Sequence, residues 1–238
     1  MKYEIKGRDL PYVEITLNKG ERIVTESGYM CWMDEGIKMD TSTNGGFAKG
    51  LGRLFTGNKF FQNNYIAEQE NVKISFASSL PGAIVAVPIS KGQSLIVQKK
   101  AFLAAHGNID VSVFFNKKIG SGLFGGEGFI LQKISGEGTV FIEIDGTYAQ
   151  YDLIEGQKLI ISSQHLVSMD ETCQMDIQTV KGLKNIVFGG EGLFNTVVTG
   201  PGKVLVQSMP ISKLAKAIDP YITSKVTTMH TSSSNNND

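Results

Sequence analysis

Phe124-Gly125-Gly126-Glu127-Gly128-Phe129 returns as Phe188-Gly189-Gly190-Glu191-Gly192-Leu193 and, in a worn form, as Phe55-Thr56-Gly57-Asn58-Lys59-Phe60. A turn that recurs at a fixed interval marks a chain that folds back the same way in successive units. A second marker agrees with it. Leu17-Asn18-Lys19-Gly20-Glu21-Arg22-Ile23, Ile89-Ser90-Lys91-Gly92-Gln93-Ser94-Leu95 and Leu153-Ile154-Glu155-Gly156-Gln157-Lys158-Leu159 place their glycines 72 and 64 residues apart, and the glycines of the first marker lie 69 and 64 apart. The two markers predict three repeats, about residues 1–72, 73–136 and 137–208.

The composition fits strands joined by tight turns, with 27 Gly, only 6 Pro, and short runs rich in Val, Ile, Phe and Thr. After each second-marker glycine an apolar strand follows: Arg22 to Thr25, Leu95 to Gln98 and Leu159 to Ser162. Next come Tyr29 to Met33, Ala101 to Ala105 and His165 to Met169, where two aligned columns, Met30/Phe102/Leu166 and Cys31/Leu103/Val167, read as core. Trp32 aligns with Ala104 and Ser168 and reads as a core or interface anchor. Asp40, Asp110 and Asp176 also correspond. In Ile109-Asp110-Val111-Ser112-Val113 the alternation puts the aspartate on the solvated face, against a shared cation site. Ile211, Leu214, Ala215 and Ile218 predict a short amphipathic helix over 211–219, ended by Pro220 and buried on its apolar stripe. Residues 227–238 are polar low complexity and are expected to be disordered. The fold class is thus all-β, one domain over 1–222, with a C-terminal helix.

The chain carries 23 basic and 23 acidic residues, so no large basic field exists to hold a nucleic-acid backbone. Cys31 and Cys173 lack metal-knuckle spacing and read as small buried apolar side chains in a reducing compartment. The N-terminal residues have no apolar core of signal-peptide length, and no apolar run reaches membrane-spanning length, which sets the expectation of a cytoplasmic address.

Chemistry is sparse. His106, His165 and His230 are scattered, and no nucleophile elbow, zinc-protease helix or dinucleotide fingerprint occurs, which argues against an enzyme and implies neither cofactor nor metal. The Gly-rich turns run on into strands rather than helices, and their Glu127 and Glu191 would repel an anion, so glycine there supplies positive φ. Two weak binding candidates remain. One is the rim of these turns, with Glu127 and Glu191; the other is Gly45 to Phe55, a basic-apolar stretch where Lys49 and Arg53 could anchor Phe and Leu side chains on a partner or a membrane surface.

Tyr29-Met30-Cys31-Trp32-Met33-Asp34-Glu35-Gly36-Ile37, Gly45-Gly46-Phe47, the Arg53-Leu54-Phe55 to Asn63 segment, the Phe-Gly-Gly-Glu-Gly-Phe turn and Gly200-Pro201-Gly202-Lys203-Val204 together resemble the altered-inheritance-of-mitochondria-24 family, long filed as a domain of unknown function. The resemblance spans Met1 to about Ile222. It implies a fold like that of the tryptophan RNA-binding attenuation protein, with three β-sandwich or short double-stranded β-helix repeats fused into a pseudo-threefold body. It carries no catalytic residues.

Function is therefore expected to be non-enzymatic binding or scaffolding, toward a protein partner or a membrane surface, with a homo-oligomer compatible. A small-ligand or RNA binder, by analogy of fold, and an undetected hydrolase are the alternatives.

Overall fold

The computed structural model describes residues 1–40, 62–117, 128–179 and 194–232. After an N-terminal strand β1 (Lys2–Lys6), the strands fall into three successive sets. The first holds β2 (Tyr12–Leu17), β3 (Arg22–Glu26), β4 (Met30–Met33), β5 (Ile37–Asp40), β6 (Gln62–Ala67) and β7 (Val72–Ala77). The second holds β8 (Gly82–Ile89), β9 (Ser94–Gln98), β10 (Phe102–Lys117) and β11 (Phe129–Asp145). The third holds β12 (Tyr148–Leu153), β13 (Lys158–Ser162), β14 (Leu166–Asp170), β15 (Gln174–Thr179), β16 (Phe194–Thr199) and β17 (Gly202–Gln207), and helix α1 (Ile211–Ser232) closes the described chain.

The same antiparallel pairings recur in each set. In the first, β7 lies between β2 and β4, and β6 between β3 and β5. In the third, β17 lies between β12 and β14, and β16 between β13 and β15. In the second, β10 and β11 run 16 and 17 residues, and each stands for two strands. The later half of β11 sits between β8 and the start of β10; its earlier half sits between β9 and the rest of β10. Where the other sets break into a turn, these strands cross at glycines: a Cβ on Gly138 would sit 2.0 Å from the His106 carbonyl oxygen, so only glycine admits the contact. One bulge recurs too, between Met30 and Trp32, Phe102 and Ala104, and Leu166 and Ser168. The sets begin at Tyr12, Gly82 and Tyr148, whereas the turn markers put boundaries near 72 and 136; β7 and the later half of β11 pair back into the set that precedes them.

The second marker has a plain physical role. Glu21, Gln93 and Gln157 each donate their backbone N–H to the residue three earlier, at 2.9, 2.9 and 3.0 Å. Their side-chain oxygens accept the N–H of that same residue: Asn18 at 2.8 Å, Ser90 at 3.2 Å and Ile154 at 3.1 Å. Gly20, Gly92 and Gly156 hold φ of +85°, +85° and +75°, which favours glycine. The Gly-Glu/Gln pair is a self-capped turn.

Two joints connect the sets. β3 pairs with β10 (Val24 opposite Ala105, Ile23 opposite His106), and β9 pairs with β14 (Val97 opposite Ser168, Ile96 opposite Met169, Leu95 opposite Asp170). The outcome is a four-stranded sheet β1-β2-β7-β4, a ten-stranded sheet through all three sets, and a three-stranded sheet β13-β16-β15. The core follows the joints. The first apolar cluster takes Leu103, Ala104 and Phe141 from the second set, the second takes Val167 and Leu205 from the third, and the third takes Ile96, Phe129 and Leu131 from the second. Each fully buried Phe or Leu there stabilises by about 1.5–3 kcal/mol.

The all-β class with a C-terminal helix is as the sequence predicts. Four expectations change. Cys31 is exposed, unlike Leu103 and Val167 in its column, and Met30 only half-buried, unlike Phe102 and Leu166 in its own. Cys173 is buried, and both cysteines are free. Helix α1 does not end before Pro220 but runs through it to Ser232, because proline removes one helical hydrogen bond and kinks a helix without obliging it to stop. It therefore takes in residues 227–232 of the stretch expected to be disordered; residues 233–238 lie outside the described chain. Its apolar stripe is not buried either: Ile211, Ala215 and Ile218 are exposed and Leu214 half-buried.

Candidate interaction surface

Lys49, Arg53, Glu127 and Glu191, with Gly57, Gly126 and Gly190, lie outside the described residues. Asp110 and Asp176 are exposed on their strands, and no group of three or more metal-ligating side chains occurs among the described residues. What the structure does bring together is an acidic cluster at the joint of the first two sets and two apolar surfaces.

Glu143 is the one charged residue in the apolar run Val140-Phe141-Ile142-Glu143-Ile144 of β11, and its side chain is buried. Oε2 accepts the Ser79 N–H at 2.7 Å and the Ser78 hydroxyl at 3.3 Å, and Oε1 accepts the Ser79 hydroxyl at 3.4 Å. Burial pushes its pKa up to about 7, with the Asp145 charge acting the same way, while the Ser78 and Ser79 hydrogen bonds pull against both. The Tyr29 phenol is raised by burial and by the negative charge of Glu143 and Glu26. A carboxyl poised near neutrality is what a general base needs. Here it is sealed from solvent and occupied in holding the Ser78-Ser79 linker between the first and second sets. The signal for it in the sequence is its lone charge in an otherwise apolar run.

Two residues on, Asp145 anchors the helix. Its Oδ2 accepts the Ile211 N–H at 3.1 Å, and its own N–H donates to Gln207 Oε1 at 3.0 Å. Burial raises its pKa, against the Ile211 N–H and the Lys100 charge. The Ser212 hydroxyl donates to Gln164 Oε1. The first turn of α1 is thus tied to β11 and to the loop before β14. Past Leu214, every residue to Tyr221 is exposed, leaving a stripe on which Ile211 and Ile218 are exposed and Leu214 is half-buried.

The second apolar surface is the edge of β4. Trp32 and Met33 are exposed, with Tyr12 packed edge-on against the Trp32 ring at 5.0 Å. Trp32 is therefore not a core residue, one of the two roles the sequence suggests for it.

A chain of antiparallel strands that repeat one pairing scheme, ending in a helix anchored at its first turn, defines the class: an all-β protein with a C-terminal helix. The chain belongs to the mitochondrial biogenesis AIM24 family, whose profile matches residues 3–209. An uncharacterized protein of Streptococcus pyogenes serotype M6 is 27% identical over 232 residues, covering 93% of this chain and 91% of that one. An X-ray crystal structure of a second Streptococcus pyogenes protein has the same fold, with a TM-score of 0.75 at 24% identity over 92% of this chain and 99% of that one. Helix α1 begins beyond the residues the family profile matches.

Proposed function

We propose that the protein is a non-enzymatic binding or scaffold protein that engages a protein partner through α1, on a body whose three strand sets stand about an approximate threefold axis as in the attenuation protein. The observation that carries the binding role is the Ile211, Leu214 and Ile218 stripe: it is apolar at helical spacing, exposed at Ile211 and Ile218 and half-buried at Leu214, and held in place at its first turn by Asp145 and Gln164. Such spacing is how an amphipathic helix fills a hydrophobic groove on another protein. The non-enzymatic part rests on Glu143, the strongest acid-base group described, being enclosed and committed to a structural linker.

The test is capture of partners from native lysate by the wild-type chain, compared with Ile211→Asp/Ile218→Asp and, separately, with Lys49→Glu/Arg53→Glu. A partner retained by wild type and lost from the helix variant, with the far-UV spectrum unchanged, is the expected result. Equal capture by the helix variant rejects α1 as the contact, and binding to lipid vesicles in place of any protein moves the surface to a membrane.

A further inference from the structure

We propose that the Gln132 and Asn64 amide oxygens, with the Glu26 and Asp40 carboxylates, form a cation site between the first two strand sets, and that it takes a hard divalent ion of calcium's size. The argument starts from two buried atoms. Gln132 is 0% and Asn64 3% exposed, and neither Gln132 Oε1 nor Asn64 Oδ1 accepts a hydrogen bond among the described residues. Leaving a buried carbonyl oxygen without a donor is costly, so each such atom calls for a ligand. The topology brings the two amides to one place. Asn64 stands in the middle strand of β3-β6-β5, opposite Val24 on one side and Asp40 on the other. Glu26, two residues along β3 from Val24, lies on the same face, because side chains alternate along a strand. Gln132 comes from β11 in the second set and donates its Nε2–H to Glu26 Oε1 at 2.7 Å. That bond fixes the amide, since turning it round would set its oxygen against the Glu26 carboxylate. Oε1 shares a carbon with that Nε2, so it sits beside Glu26 as well.

The internal repeat supplies the controls. Counting from Gly20, Gly92 and Gly156, residues Val24, Ile96 and Ile160 are equivalent, so their cross-strand partners Asn64, Lys133 and Val197 are equivalent too. By the same count Gln132 matches Asn63 and Thr196. In the third set these places hold Val197, which needs no partner, and Thr196, whose hydroxyl donates to Ser163 Oγ at 2.8 Å. In the second set Lys133 turns to Glu171. The strand pattern therefore does not require an unpartnered amide at either place. Asp40 is half-buried at the first contact, whereas its counterpart Asp176 is exposed. The donor set selects the ion. Two carboxylates balance a divalent charge, and oxygen donors suit hard cations rather than metals that favour thiolate or imidazole. The carboxylates alone fall short of a site, since no three ionisable ligands are grouped among the described residues, and the amides complete the set. Calcium accepts amide carbonyls beside carboxylates in flexible geometry, whereas magnesium keeps several waters, for which two amides so deeply buried leave little access.

Two measurements on the full chain decide it. Protein stripped with EDTA, dialysed against calcium chloride and then desalted is expected to retain about one calcium per chain by elemental analysis. Its unfolding midpoint is expected to climb with free calcium, as for any ligand that binds the native state, and to move less with magnesium at the same concentration. Asn64→Val places there the side chain that the third set uses, and Gln132→Met keeps the volume while removing the oxygen. Each is expected to keep the far-UV spectrum of wild type and to lose both the retained ion and the calcium response; if one fails to fold, the other decides. Wild type that retains no calcium, a midpoint indifferent to calcium, or a folded variant that binds and responds as wild type does would each overturn the proposal.

Discussion

Single side chains carry two kinds of information here. Gln93 and Gln157 look like ordinary surface residues, yet each closes a turn by accepting the N–H three residues back. Gln157→Ala should lower stability by about 0.5–1.5 kcal/mol, the net value of one such hydrogen bond. Gly92→Ala should cost about 1–2 kcal/mol through positive φ alone, since nothing crowds a Cβ there. Both are read from urea midpoints. Glu143 makes a pH-dependent contribution. Its folded-state pKa of about 7 lies above the ordinary 4.5, so the native state holds the proton more tightly than the unfolded chain. The associated stability is full below pH ~4.5 and lost as pH rises through ~7, by about 3 kcal/mol at most. Wild type should therefore show a falling Tm between pH 5 and 8, and Glu143→Gln a shallower fall, since Asp145, also raised, remains; equal slopes would show that Glu143 stays ionised throughout. Glu14 and Glu171, held down by Lys6 and Lys133, act in the opposite direction and only at acid pH.

Among the elements, α1 is the most telling, because its two ends obey different constraints. The first turn is secured by the Asp145 carboxylate, and Asp145→Ala should cost about 1 kcal/mol, the usual value of a lost helix cap. Ile218, further along, faces water, so Ile218→Asp should leave the unfolding midpoint within about 0.5 kcal/mol of wild type. A larger loss would mean that the stripe is covered by the body in solution. The helical spacing of this stripe was legible in the sequence, but what the stripe packs against was not. Periodicity shows that a face is apolar without showing that a partner for it exists in the same chain.

For the whole molecule, the strength lies in the joints, where one set's strand completes its neighbour's core. Ile96 pairs across to Met169 and sits in the third cluster although it belongs to the second set. Ile96→Ala should therefore cost about 2–5 kcal/mol, as a buried large-to-small change does, and should loosen the second and third sets together in hydrogen exchange. Protection lost in the second set alone would show that the joint is not a cooperative contact.

The sequence by itself determined the all-β class, the recurrence of turn and strand, the helix and the family, because these rest on local chemistry: glycine at positive φ, strand alternation, a helical apolar stripe. It did not determine where each set ends, since the last strand pairs back across the set and such long-range pairing leaves no local signature. Nor could it place Cys31 in solvent when Leu103 and Val167, in the same column, are core. Equivalent residues acquire different burial according to whether the neighbouring strand has docked, and only the tertiary structure decides that.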